Sequence, residues 1–388
     1  MRAFHRSVCV LVLLSVASFS SASPHCCDGS NGQPLLKQLN DAEIVLFGHF
    51  ENAKLSTSGL EQGHADLVIE RVFKDHAMIQ GKKSVNLSRY ITEPKLKFLV
   101  FCDVYKGRIN AYKGAQIGNE AELMRYLDGA LKLKGRPQPE RLRFAFDFLN
   151  SPEIEVAMDA YREYAGADYA DYGEMAKKLP ADTIAGWLKD PKTPAFRLGL
   201  YATLLAHCGN VEHAKLLMEM INDPERRRGA GVHGLMMAYT ILEPQKGWKF
   251  VKDVAHTSDK PFLFRYAGLQ TMRFLRECRP DVVNPKNEAA GRTEIVKGVA
   301  GIMTVPDMAD FAIEDLRKWK QWEFCDPILK LHGQKSHDRA IIHKSILRYA
   351  LQCPTPQAAA YVKKERARNP EYVDETRELL ELETPPAK

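Results

Sequence analysis

The sequence predicts an α+β chain of two domains: a small five-stranded β-barrel with one helix, then an all-α array of stacked helical pairs. Three observations predict it. Residues 42–112 are dense in β-branched and aromatic residues, broken by Gly, Asn, Asp and Lys. A stretch at 133–140 carries Gly135, Pro137 and Pro139, and strand patterns stop there. The C-terminal half repeats itself. In 193–208, TPAFRLGLYATLLAHC, the small residue Thr203 stands six places after Arg197 and is followed by Leu204 and Leu205. The same ruler fits Arg228 with Gly234, Leu235 and Met236, Arg265 with Thr271 and Met272, and Arg339 with Ser345, Ile346 and Leu347. A weaker copy starts at Arg292, with Gly298 and Val299. The intervals from Arg197 to Arg265 and on to Arg339 are 68 and 74 residues. Arg228 splits the first interval into 31 and 37, and a unit of that length holds two helices, the pattern of a stacked array. The apolar pair marks the buried stripe, and the small residue lets neighbouring helices approach closely.

Residues 1–23 read as a secretory signal peptide. Arg2 and Arg6 form a positive start, residues 8–16 a short apolar core, and Ser20-Ser21-Ala22 offers small residues for cleavage near Ala22 or Ser23. The expected mature protein is periplasmic or extracellular. No later stretch reaches the ~20 apolar residues of a spanning helix, so no stable membrane insertion is expected. The formal charge of +6 includes those two arginines and is too small to argue for a nucleic-acid partner. With 45% hydrophobic and 27% charged residues, the composition is that of an ordinary globular protein.

The first domain is expected over 24–132. Residues 24–40 are a polar opening loop. Strand-like runs follow at 43–50, 64–73, 84–87, 97–105 and 108–112, the last two joined by a turn at Lys106-Gly107. A helix is expected over 119–131, with Leu123, Met124, Leu127 and Leu131 on one face. The segments AEIVLFG at 42–48, VIERVFK at 68–74 and FLVF at 98–101, with cysteines ahead of the first strand, resemble the netrin-like module. That module is an OB-type barrel shared with tissue inhibitors of metalloproteinases. The resemblance spans 26–132 and implies an OB-like barrel and a role in protease binding. Family inhibitors place the free amine of an N-terminal cysteine on the protease zinc. Here the predicted cleavage leaves Ser23-Pro24-His25 or a shorter extension ahead of Cys26.

Beyond the linker at 133–140, residues 141–380 read as helical. Ser151-Pro152-Glu153, Asn210 and Thr355-Pro356 mark helix starts. Asp190-Pro191, Asp223-Pro224 and Glu243-Pro244 mark stops. In unit length, recurrent arginine and paired helices this part resembles HEAT repeats, a family that implies a curved scaffold with a concave binding face. The tail at 381–388, with Pro385-Pro386, is expected to be disordered.

Without Cys9 the cysteines are Cys26, Cys27, Cys102, Cys208, Cys278, Cys325 and Cys353, an odd number. In an oxidising compartment at least one stays free or pairs between molecules. The last four lie in or at the ends of apolar helical patterns and read as small buried hydrophobes. Cys26 or Cys27 is expected to tie the loose terminus to the sheet through Cys102, with Cys27 slightly favoured because it stands nearer the first strand. Metal binding by His25, Cys26 and Cys27 is the other reading.

No stretch carries a recognisable active site. The G-x-G-x-x-G match at 229–234 has no strand before it and lies inside the helical pattern. His332, His337 and His343 are spaced by five and six, which does not align ligands on one helix face. Glu153 with Glu155, and Glu314 with Asp315, read as solvated surface. Trp319 and Trp322 read as core residues or, less favoured, an exposed anchor. The basic runs Arg226, Arg227, Arg228 and 363–368, KKERAR, read as solvated helix faces, with an acidic partner as the alternative. No cofactor is expected. The leading expectation is a non-enzymatic scaffold that binds a protein or peptide partner through the helical-repeat surface. The alternatives are a netrin-like protease-binding or inhibitor protein, and an enzyme whose site is assembled in the repeat groove.

Overall fold

A computed structural model describes residues 33–56, 63–93, 95–226 and 231–383. The expected signal segment, Cys26, Cys27, Arg228 and residues 384–388 lie outside the described residues.

The described chain opens with helix α1 (Leu35–Asp41). Five antiparallel strands follow: β1 (Ile44–Leu55), β2 (Gly63–Lys74), β3 (Ser84–Leu87), β4 (Lys97–Tyr105) and β5 (Arg108–Ile117). Their order in the sheet is β3-β2-β1-β4-β5. The expected barrel is not closed. Strand β3 has only four residues against ten in β5, so the two edges cannot form a full ladder. Gly48 is required where it stands: a Cβ there would lie 1.8 Å from the carbonyl oxygen of Val68 on β2.

The central strands are buried on both faces, which explains their unbroken apolar runs. Ile44 and Leu46 of β1, with Val100 and Cys102 of β4, join Leu67, Val85 and Leu87 in a core on one side of the sheet. Val45 and Phe47, with Leu99 and Phe101, face the other way into the main core.

Helix α2 (Glu120–Lys132) starts at Asn119, whose side chain accepts the Glu122 N–H. Its buried face is Leu123, Tyr126, Leu127 and Ala130; Leu131 is turned to solvent. The stretch 133–140 is not a free spacer: after a turn, α3 (Gln138–Phe146) begins within it. Then come α4 (Ile154–Ala165), α5 (Tyr169–Ala176), α6 (Ala181–Lys189), α7 (Ala195–Cys208), α8 (Val211–Asn222), α9 (Val232–Leu242), α10 (Pro244–His256) and α11 (Phe262–Cys278). The last are α12 (Pro280–Val283), α13 (Glu288–Ile302), α14 (Ala309–Lys318), α15 (Cys325–Leu329), α16 (Ala340–Gln352), α17 (Pro356–Arg368) and α18 (Pro370–Glu383). Helix α18 thus runs three residues into the expected tail. Glu383 at its end pairs with Arg317 and Arg348.

The principal helix contacts join near neighbours in chain order, such as α7 with α9, α9 with α11, α11 with α13 and α14 with α16, so this part is repeat-like. The residues six and seven places beyond each ruler arginine are buried throughout: Thr203 and Leu204, Gly234 and Leu235, Thr271 and Met272, Ser345 and Ile346. The small residues do bring helices together. A Cβ on Gly234 of α9 would lie 2.5 Å from Gly199 Cα on α7. One continuous core runs from Leu35 through the helix-facing side of the sheet to Ala358.

Candidate functional site

Helix α4 and the start of α7 border an open cleft of about 300 Å³. Ile154 and Met158, one turn apart on α4, form one wall, and Ile154 is 71% exposed. Thr193, Pro194, Phe196 and Arg197 form the opposite wall. The Tyr161 hydroxyl donates to the Phe196 carbonyl (3.3 Å), and the two rings meet edge to face at 5.2 Å, which fixes the spacing of the walls.

Arg197 is the unusual group in this cleft. It is 7% exposed and forms no ion pair among the described residues. Its Nη1 donates to the Leu149 carbonyl (3.2 Å), which the Tyr201 hydroxyl also reaches (2.9 Å). Its Nε is buried and finds no hydrogen-bond partner among the described residues. A buried cation is costly without a counter-charge. The position adds to that cost: Arg197 lies in the first turn of α7, where the helix dipole favours anions. That turn has no acidic residue, and Pro194 caps it without a side-chain bond. Asp190 at the rim already accepts the Lys192 amide (2.9 Å), and Lys192 adds a second cation. The site therefore offers positive charge next to an apolar wall.

A second cluster lies at the junction of α1, α2, α3 and α4. Asp159 is fully buried. It accepts the backbone N–H of Leu35, the first residue of α1, and the Tyr126 hydroxyl (2.8 Å). Burial outweighs these bonds and pushes its carboxyl up to about 7. Beside it Arg141 pairs with the buried Glu163 at 2.5 Å. The donors engaged by Asp159 are structural, so the cluster reads as a buried strut.

A third group surrounds His207. Its Nε2 is buried without a partner among the described residues, and its ring lies against Tyr169 at 5.2 Å. Burial, with Arg279 and Lys177 nearby, pulls the imidazole down to about 4.

The ruler arginines separate. Arg197 and Arg265 both occupy first turns and are buried. Arg265 donates to the Lys260 carbonyl (2.8 Å) and in two-pronged fashion to Asp307 (2.7 and 2.5 Å). Arg339 departs from the expected equivalence: α16 begins one residue later, so Arg339 is an exposed helix-capping position.

Cys102 is buried in the sheet and in no disulfide among the described residues, and burial and Asp103 push its thiol up to about 12. Its expected partners lie outside the described residues. Cys208, Cys325 and Cys353 are likewise in no disulfide among the described residues.

Two of the three clustered histidines meet: the rings of His332 and His343 stack at 4.6 Å, while His337 is buried against the Met303 carbonyl (2.8 Å). Among the described residues no group of three or more His, Cys, Asp or Glu side chains is placed to hold a metal ion. No described helix is long and apolar enough to cross a membrane. Arg226 pairs with Asp223, and Arg366 and Arg368 of the C-terminal basic run pair with Asp374 and Glu365. Trp319 and Trp322 pack against the core.

Two acidic pairs expected at the surface are corrected. Asp315 is 6% exposed and accepts Arg273 Nε at 2.7 Å. Glu153 is 4% exposed and accepts the amides of Gly118 (2.8 Å) and Asn119 (2.6 Å), joining the end of the sheet to α4. Both are buried because the amides or guanidinium they satisfy come from elements distant in sequence. Arg197 stood out in the sequence as the repeat ruler, but its lack of a counter-charge did not. The one sequence hint was the absence of Asp or Glu from the first turn of α7.

No family model matches this chain, and neither the curated proteins nor the solved structures include a match.

Proposed function

We propose that the chain is a non-enzymatic interaction protein that holds an extended segment of a protein partner in the cleft between α4 and α7. A carboxylate of that segment pairs with Arg197 at the start of α7, and a neighbouring apolar side chain rests on Ile154 and Met158. The observation that carries this reading is the buried Arg197 guanidinium with an unbonded Nε at an open cleft. An incoming carboxylate would supply the counter-charge that this guanidinium lacks and complement the dipole of α7. Helical arrays present binding surfaces of this kind.

The test is selection from a displayed peptide library on the purified chain. Enriched peptides should carry an acidic residue or free C-terminus beside an apolar residue. Arg197→Gln should weaken their binding by about 2 kcal/mol, or roughly thirtyfold. Ile154→Glu changes an exposed position and should weaken the same peptides without loss of fold. Enrichment of peptides indifferent to both substitutions would overturn the assignment.

A second reading concerns the sheet. Its order, β3-β2-β1-β4-β5 with β1 antiparallel to β4, supports an OB-like, netrin-like module acting on a protease. Secretion through a cleaved signal is part of both readings. Sequencing the mature N-terminus decides between them: a start at Cys26 favours the inhibitor, a start at Ser23 the scaffold.

A further inference from the structure

The first residue of α15, Cys325, and the residue that ends α16, Cys353, converge on one side chain. Cys325 Sγ lies 3.1 Å from Thr355 Oγ1, and Cys353 Sγ lies 3.3 Å from the same oxygen. Burial, with Cys353 as a neighbour, holds the Cys325 thiol above its usual range. Thr355 is itself fixed, because its hydroxyl accepts the Ala358 amide as the cap of α17 (3.3 Å). Three helix ends therefore meet at two sulfurs and one hydroxyl. Both thiols are buried, at 4% and 7% exposure. Cys208, by contrast, bonds back to the Leu204 carbonyl of its own helix.

We propose that Cys325 and Cys353 are a redox pair that closes as an intramolecular disulfide, tying the start of α15 to the end of α16. The oxidant is a small disulfide of the glutathione class. One cysteine, as thiolate, attacks a sulfur of that disulfide and expels one thiolate, giving a mixed disulfide. The second cysteine then attacks the protein sulfur and expels the other. The two protein thiols lose two electrons and two protons, and the oxidant becomes two thiols. Burial disfavours the thiolate at Cys325 and shields both sulfurs. Exchange therefore takes place before the C-terminal helices have docked, or when they open locally. Closure exchanges the contacts of both sulfurs with Thr355 for a bond of about 2.05 Å between them.

The experiment uses the full chain, unfolded and refolded in reduced and oxidised glutathione. It is then acid-quenched, alkylated without reductant and mapped by mass spectrometry. The expected result is one peptide pair joined through Cys325 and Cys353, two hydrogens lighter than the sum of its parts, with Cys208 and Cys278 alkylated. The oxidised chain should melt several degrees above the reduced chain, and Cys353→Ser should abolish that difference and leave Cys325 open to alkylation. Alkylation of both cysteines in the oxidised sample overturns the proposal. So does arrest at a mixed disulfide, or pairing of either with another cysteine.

Discussion

Asp159 shows what one buried carboxyl can impose. It is fully buried, and its raised titration means that the folded chain keeps a proton which the unfolded chain, with an ordinary value of 3.8, has already lost. Stability from this group is greatest below about pH 4, falls between pH 4 and about 7, and is level above. Asp159→Asn should flatten that slope, which reaches on the order of 1.4 kcal/mol per pH unit within the window. The difference between the two denaturation series across pH is the measurement; parallel curves would refute the shift. Asp315 and Arg273 form the other kind of buried charge, a pair. Arg273→Met leaves Asp315 without its guanidinium and should cost about 3 kcal/mol in urea unfolding. Neither site was legible in the sequence. Asp159 lies in an unremarkable helix, and its partner Leu35 is 124 residues away. Glu314 and Asp315 look like two surface acids until α11 brings Arg273 alongside.

Elements were more legible than charges, because periodicity is local and burial of charge is not. The strand runs were found from their β-branched and aromatic residues, yet β5 extends to Ile117, five residues beyond Tyr112. Gly114 and Lys113 hid the alternation there. Ser151 was expected to cap α4. It instead donates to Glu122 (2.9 Å) and accepts the Glu153 amide (3.2 Å), so the cap falls to Glu153. The small-residue rule was the most productive reading, because close approach of two backbones excludes every larger side chain. Gly234→Val should therefore push α9 off α7. The expected loss is at least 3 kcal/mol, since the obstacle is backbone that cannot rotate away. Thermal unfolding reads it, and a tolerant Gly234→Val would show that the crossing can slide.

For the whole molecule, the sequence separated a strand-rich part from a helical part, and the structure contains both. What composition could not reveal is that they share a core. Val45, Phe47, Leu99 and Phe101 turn a full face of the sheet towards α2 and the helices beyond. A fragment of residues 33–132 should therefore fail to fold as a stable monomer, and the intact chain should unfold without an early sheet-only step. Circular dichroism and light scattering of the fragment provide the check. A soluble, cooperatively melting fragment would show that the inner sheet core suffices.

The bond from the Leu35 amide to Asp159 also carries a consequence in time. Synthesis delivers Leu35 124 residues ahead of its acceptor. Until then α1 has no partner for its first amide, and the sheet face of Val45, Phe47, Leu99 and Phe101 lacks the later helices that cover it. The front of this chain therefore reaches its final hydrogen bonding only after those 124 residues have been added.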